Sequence, residues 1–253
     1  MAGADITIDI ITTVPNRYAS YVVDAPQIEV IGNITIKRIL LPRHKSGMLD
    51  QAFAFSYFAY VARKYISKRQ YDLVYATSSR LMAAVLGAWL AKYCRAKLFL
   101  DIRDIFVETI EDVFPHKIAK LVGSVFAMLE KISFNRAQRI NIVSQGFIPY
   151  FVKRYPKKTL SYYTNGIDDE FCNLDVNSNE GNSNQKTRVL YAGNIGEGQG
   201  LHNIIPKLAL NLPTFEFYII GDGGRRTKLA LELAKHAVQN VKLLEPCARK
   251  ELI

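Results

Sequence analysis

RVLYAGNIGEGQGLHNIIPKLALNLPTFEFYIIGDGG, residues 188–224, is the stretch that decides the fold. It opens on a short apolar run, 188–192, of strand length. Gly193-Asn194-Ile195-Gly196-Glu197-Gly198-Gln199-Gly200 follows, and apolar residues at helical spacing then predict a helix over 200–210. The pattern repeats as strand 215–220, Gly221-Asp222-Gly223-Gly224, helix 225–238 and strand 240–244. Strands alternating with helices signal βα units on a parallel sheet. Glycines between a strand and a helix let the backbone approach a phosphate, which the free N–H groups of the helix start can hold. The first loop lacks the dinucleotide fingerprint. It nears phosphate-loop spacing, but Gln199 stands where that loop needs a lysine, so a nucleoside triphosphatase is not expected. A turn serving packing alone remains the alternative for both loops.

The alternation extends upstream. Runs at 6–12, 34–41, 72–79, 97–101, 139–143 and 159–164 read as strands. Helices are expected over 48–68, 80–93, 116–135 and 144–155, the last stopped by Pro156. The strands show little polar alternation, which predicts sheets covered on both faces. Residues 173–187, NLDVNSNEGNSNQKT, are polar and read as a linker. The fold class is therefore α/β with two Rossmann-like domains, 1–172 and 188–253.

In such sheets ligands sit at the C-terminal strand ends. Those ends carry Thr77-Ser78-Ser79, then Asp101-Ile102-Arg103-Asp104, then Ser144-Gln145-Gly146. An acid at a strand end can act as a general base or hold substrate hydroxyls. An arginine beside it can pair an acid or a phosphate. A structural salt-bridge cluster is the alternative.

Formal net charge is +10, which favours anionic partners. Basic clusters occur at Arg63, Lys64, Lys68, Arg69 and at Lys153, Arg154, Lys157, Lys158, in no nucleic-acid module, so no nucleic-acid partner is expected. The helix at 48–68 is rich in aromatics and ends basic, which suits a core helix or one lying on an anionic membrane. Three scattered cysteines and four scattered histidines give no metal-ligand pattern, so no metal is expected. No signal peptide or spanning segment is read, and the expected location is cytoplasmic, with peripheral contact at the inner membrane face.

Five stretches in order, TTVPNRY (12–18), LDIRDIFVET (100–109), TNGIDDEF (164–171), YAGNIGEGQGL (191–201) and IIGDGG (219–224), resemble retaining glycosyltransferases of family 4, of the GT-B fold. The resemblance is to bacterial enzymes of the fucosamine-transferase type, which build O-antigen, capsule and related surface polysaccharides. It implies transfer of a hexosyl or N-acetylaminosugar group, with retention, from a UDP- or GDP-linked sugar to a lipid-linked saccharide acceptor. No cofactor or metal beyond the nucleotide-sugar substrate is implied. Gly193, Asn194, Gly196, Gln199 and Gly200 would face the donor diphosphate, and Gly221, Asp222 and Gly223 would line the nucleotide pocket. Asp101, Arg103 and Asp104 would be catalytic, with Thr77, Ser78 and Ser79 on the acceptor side. Asn194 and Gln199 depart from the basic residues many members carry there, which shifts phosphate binding onto backbone N–H groups. The family's first strand and its glutamate pair find no match, so a chain cut short at both ends, with an incomplete second domain and little activity alone, is expected. A nucleotide-sugar epimerase or a non-catalytic fragment binding nucleotide or membrane is the other reading.

Overall fold

The computed structural model describes residues 6–15, 25–42, 48–78, 80–105, 116–167, 169–172, 186–248 and 251, with 48–49 and 116–121 as backbone only. Most of the segment read as a linker, 173–185, and Ser79 lie outside the described residues. The chain divides into two compact units, one ending at Gly166 and the other running from Ile167.

The first unit holds β1 (Ile8–Thr13), β2 (Ile28–Ile31), β3 (Ile34–Ile39), α1 (Met48–Ile66), β4 (Leu73–Ser78), α2 (Leu81–Tyr93), β5 (Lys97–Ile102), α3 (His116–Arg136), β6 (Arg139–Ile142), a 3-10 turn (Gln145–Phe147), α4 (Ile148–Arg154) and β7 (Thr159–Tyr162). Strands β4-β5-β6-β7 form one parallel sheet. In the other sheet β1 runs parallel to β3, whereas β2 pairs with β3 antiparallel. Strand β2 escapes the sequence reading because IEVI is short and mostly exposed, so it carries no burial pattern.

Helix α2 is apolar all round because it is buried on two sides. Leu81, Ala84, Ala88 and Ala91 join Leu98, Leu100, Ile102, Ile140 and Ile142 in one core. Leu86 and Leu90 turn instead to Ala62 and Ile66 of α1 and to Ile39. Gly87 lets α2 lie against β4: a Cβ there would come within 2.5 Å of the Ala76 Cβ. Among the described residues β1 and β4 each pair along one edge only. Asp9 of β1 accepts hydrogen bonds at 2.6 Å from Arg69 and from the Tyr71 hydroxyl, tying β1 to the turn before β4.

The second unit contains α5 (Asp169–Cys172), β8 (Arg188–Ala192), α6 (Leu201–Asn211), β9 (Glu216–Ile220), α7 (Arg226–Lys235) and β10 (Val241–Leu244), with β8-β9-β10 parallel. Ile195, Leu201, Ile205, Ile219, Leu229 and Leu233 form its core. Each fully buried side chain of this kind contributes about 1.5–3 kcal/mol.

The α/β class and the parallel pairing agree with the sequence reading; the expected coverage of both sheet faces holds along β5 and β6 but not along β8 and β10. Strands β8 and β10 alternate between half-buried and exposed positions, and Leu190 and Leu244 stay 58% and 40% exposed. Short apolar runs do not distinguish a strand buried on both faces from one with an apolar outer face.

Candidate functional site

In the first unit, register builds the site. Thr77, Asp101, Asn141 and Ser161 are paired positions across β4, β5, β6 and β7, so a row of polar side chains crosses the sheet near its C-terminal edge. Asp101 is 2% exposed. Its Oδ1 accepts from Asn141 Nδ2 at 2.7 Å, and its Oδ2 accepts from Thr77 Oγ1 and Arg103 Nε, both at 3.1 Å. Arg103 Nε also donates to Thr77 Oγ1 at 2.9 Å. Burial alone would push the Asp101 carboxyl up, but hydrogen bonds from Asn141, Thr77, Arg103 and Tyr75 outweigh it and hold the pKa below the ordinary aspartate value.

With both oxygens engaged and no solvent access, this carboxylate orients Arg103. The Arg103 side chain is 45% exposed, and Asp104 is exposed with no partner among the described residues. Ser78 is buried and spends its hydroxyl on Arg80 O at 2.6 Å, turning the chain into α2. The structure thus brings the side chains of Thr77, Asp101 and Arg103 together; Ser78 joins them only through its carbonyl, which accepts from Arg103 N at 2.9 Å, and Ser79 lies outside the described residues. Asn141 was missed by the sequence reading. It also donates to Tyr163 O at 3.1 Å and accepts from Tyr163 N at 2.9 Å, pinning the strand that leads out of this unit. Its one signal was a polar residue inside the apolar run RINI.

In the second unit, the two glycine loops are joined backbone to backbone. Gly193 N donates to Ile220 O at 2.9 Å, Ile195 N to Asp222 O at 2.8 Å, and Arg225 N to Ile195 O at 2.9 Å. Gly221 and Gly223 have φ of +148° and +155°, and a Cβ on them would meet Gly193 O at 1.9 Å and Ile195 O at 2.5 Å. Those two glycines are required by loop-on-loop packing. Asp222 braces its own turn, accepting from Gly223 N at 2.7 Å.

The first loop is held from inside by Ile195, fully buried in the core, and by the Tyr191 hydroxyl, which donates to Asn194 O at 2.7 Å. Gln199 Oε1 accepts from Asn194 Nδ2 at 3.1 Å and from Gly196 N at 3.2 Å, so the Asn194 and Gln199 side chains close the loop on itself. Gly200, at φ +60°, is the N-cap of α6 and offers no side chain to it. Asn203 and Ile204 amides turn back to Gly200 O at 2.9 and 3.3 Å, leaving those of Leu201 and His202 without a partner among the described residues. No acid lies in that first turn. Such an end carries a partial positive charge and open donors, which suits an anion.

Two further groups escaped the sequence reading. Arg225 bonds Glu197 beside the loop, both side chains partly exposed. His202, in the first turn of α6, is 3% exposed and has a buried Nδ1 with no partner among the described residues. Among the described residues no group of three His, Cys, Asp or Glu is placed to hold a metal, and no helix is long and apolar enough to cross a membrane.

No protein-family model matches the chain, and no curated protein sequence matches it. Solved structures do resemble it. Sucrose-phosphate synthase from Thermosynechococcus elongatus aligns with a TM-score of 0.62 at 14% identity, over 96% of this chain and 61% of that one. HepE from Anabaena, in its complex with UDP-glucose, aligns with a TM-score of 0.55 at 17% identity, over 84% of this chain and 56% of that one. The chain therefore spans less than two thirds of the length of these neighbours. At these identities the likeness establishes the fold alone: an α/β chain with Rossmann-like domains of the GT-B type.

Proposed function

We propose that this chain belongs to a glycosyltransferase that takes a sugar from a nucleoside diphosphate, UDP or GDP, and passes it to a saccharide acceptor. The observation that carries the reading is the uncapped N-terminus of α6 behind the Gly193–Gly200 loop, at the C-terminal end of β8. HepE, a structural neighbour, is described in complex with UDP-glucose. The diphosphate would lie on the α6 amides. Arg225, exchanging Glu197 for phosphate oxygens, would supply the cation that Asn194 and Gln199 do not. Both would stabilise the negative charge that builds on the leaving diphosphate. In the first unit, Asp101, itself held by Asn141, would position Arg103 toward the substrate, and Asp104 would offer a carboxylate that has no partner among the described residues. Retention, membership of family 4 and the fucosamine-transferase type, and a role in surface polysaccharide assembly rest on the ordered motifs. Exposed Phe53, Tyr57 and Tyr60 on α1, above a basic end, support contact with an anionic membrane carrying a lipid-linked acceptor.

The test is thermal unfolding of the purified chain with UDP, GDP, TDP, NAD and their sugar conjugates. One nucleoside diphosphate at about a hundred times its Kd should stabilise the fold by about 2.7 kcal/mol, a rise of several degrees. No shift with any nucleotide overturns the reading.

A further inference from the structure

A second basic surface lies in the first unit. A groove of about 400 Å³ is lined by Ile105, Gly146, Pro149, Tyr150, Lys153 and Arg154. That volume falls within the ordinary range of small-ligand sites, about 300–1,000 Å³. Ile105 follows β5 and Gly146 follows β6, so the groove opens at the same sheet end as Asp101 and Arg103.

Its cations are held differently. The Arg154 guanidinium lies 4.7 Å over the Tyr150 ring, and its Nη1 is 3.6 Å from Glu130 Oε1. Glu130 is 2% exposed, and that oxygen also accepts from the Tyr150 and Tyr155 hydroxyls, each at 2.7 Å. Burial, and then the carboxylate, push the Tyr155 hydroxyl well above its ordinary value, so it stays a donor. Arg154 is thereby held on an aromatic face, and its other N–H groups have no partner among the described residues. Lys153 has no partner among the described residues. Lys153 and Arg154 thus both line the groove, and of the two only Arg154 has an acidic partner among the described residues. Of the other basic residues nearby, Lys158 is committed to Asn135 O and Ala137 O, and Lys157 does not line the groove.

We propose that this groove binds a phosphate ester, its anionic group between Lys153 and Arg154 and its organic body against Ile105, Pro149 and the Tyr150 ring. On the transferase reading above, on which this part rests, the ester is the acceptor substrate. A bare anion would use only the cations, whereas the apolar wall favours a phosphate joined to a lipid or a ring.

The test is calorimetric binding of phenyl phosphate, with phenol as the uncharged control, to the chain in saturating UDP. Variants are Lys153→Gln and, as the control for diffuse charge, Lys157→Gln. Phenyl phosphate should bind and phenol should not. Lys153→Gln should weaken phenyl phosphate about tenfold, the weight of one charged hydrogen bond, and Lys157→Gln should leave it unchanged. A second arm measures binding to phosphatidylcholine vesicles with and without phosphatidic acid. Dependence on Lys153 in both arms assigns the phosphate to a lipid, and dependence with phenyl phosphate alone assigns it to a soluble ester. Equal binding by both variants and the parent, or no binding of phenyl phosphate, overturns the groove. If UDP fails to stabilise the chain while the Lys153 effect holds, the transferase reading fails and the groove stands.

Discussion

Replacing Gly221 by alanine separates packing from ligand binding in the glycine loops. The added Cβ would lie 1.9 Å from Gly193 O and 3.0 Å from Gly193 C, both backbone atoms that no rotamer can move. Relief requires the two loops to part by more than an ångström. That breaks the hydrogen bonds from Gly193 N to Ile220 O and from Ile195 N to Asp222 O. Each is worth about 1 kcal/mol. A non-glycine residue at φ +148° adds strain of about 1–3 kcal/mol. The sum is about 3–5 kcal/mol, or at about 4–8 °C per kcal/mol roughly 10–40 °C in the melting of a unit this small. Gly198→Ala is the matched control, because nothing lies within 4 Å of its Cβ. It should melt with the parent protein. Differential scanning calorimetry of the three proteins decides the matter. A Gly221→Ala protein that melts within a degree of the parent would show that the loops are not locked together as described.

Two other substitutions probe the charged groups. Asp101→Asn puts an amide donor against the donors of Asn141, Thr77 and Arg103 and should cost about 2 kcal/mol at neutral pH. Because the folded-state pKa of Asp101 is depressed, its contribution is present above the ordinary aspartate value near ~3.9 and is lost as pH falls through the lower folded value. Urea melts of parent and variant should therefore converge in acid, and a gap that widens there would refute the assignment. Arg225→Ala should weaken UDP binding about tenfold, whereas Glu197→Ala, which frees Arg225, should leave it equal or tighter. Calorimetric titration checks both, and equal losses in the two variants would mean that the ion pair serves the loop's shape alone.

The βα alternation was legible because each strand is a compact apolar run set off by polar or glycine residues. The glycine loops were legible as positions but not as roles. From sequence, Gly221 and Gly223 read like Gly200, yet two are demanded by an approaching carbonyl and the third by a helix start. Nothing in GDGG announces Gly193 O, because the contact joins residues 28 positions apart. The Thr77–Asp101–Asn141 row was hidden for the same reason. Register places those residues side by side, and a slip of one residue would send Asn141 to the opposite face. Arg225 likewise reaches Glu197 only once two turns have folded against each other.

That polar row also separates the residues of the DIRD segment by their access to solvent: Asp101 is buried, whereas Arg103 and Asp104 are exposed. A base in a transfer reaction needs an available lone pair and a path to the proton it takes. Asp101 has neither, since its oxygens serve Asn141, Thr77 and Arg103 and its surface is closed. What it has is leverage. One buried carboxylate holds the half-exposed Arg103 on one side and, through Asn141, the backbone of Tyr163 on the other, three residues before the unit ends at Gly166. Loss of Asp101 therefore loosens a half-exposed cation and the strand that leads out of the unit together. Arg103→Lys separates the two. It preserves the charge, gives up the Nε donor to Thr77 and Asp101, and leaves the Asn141–Tyr163 clasp intact.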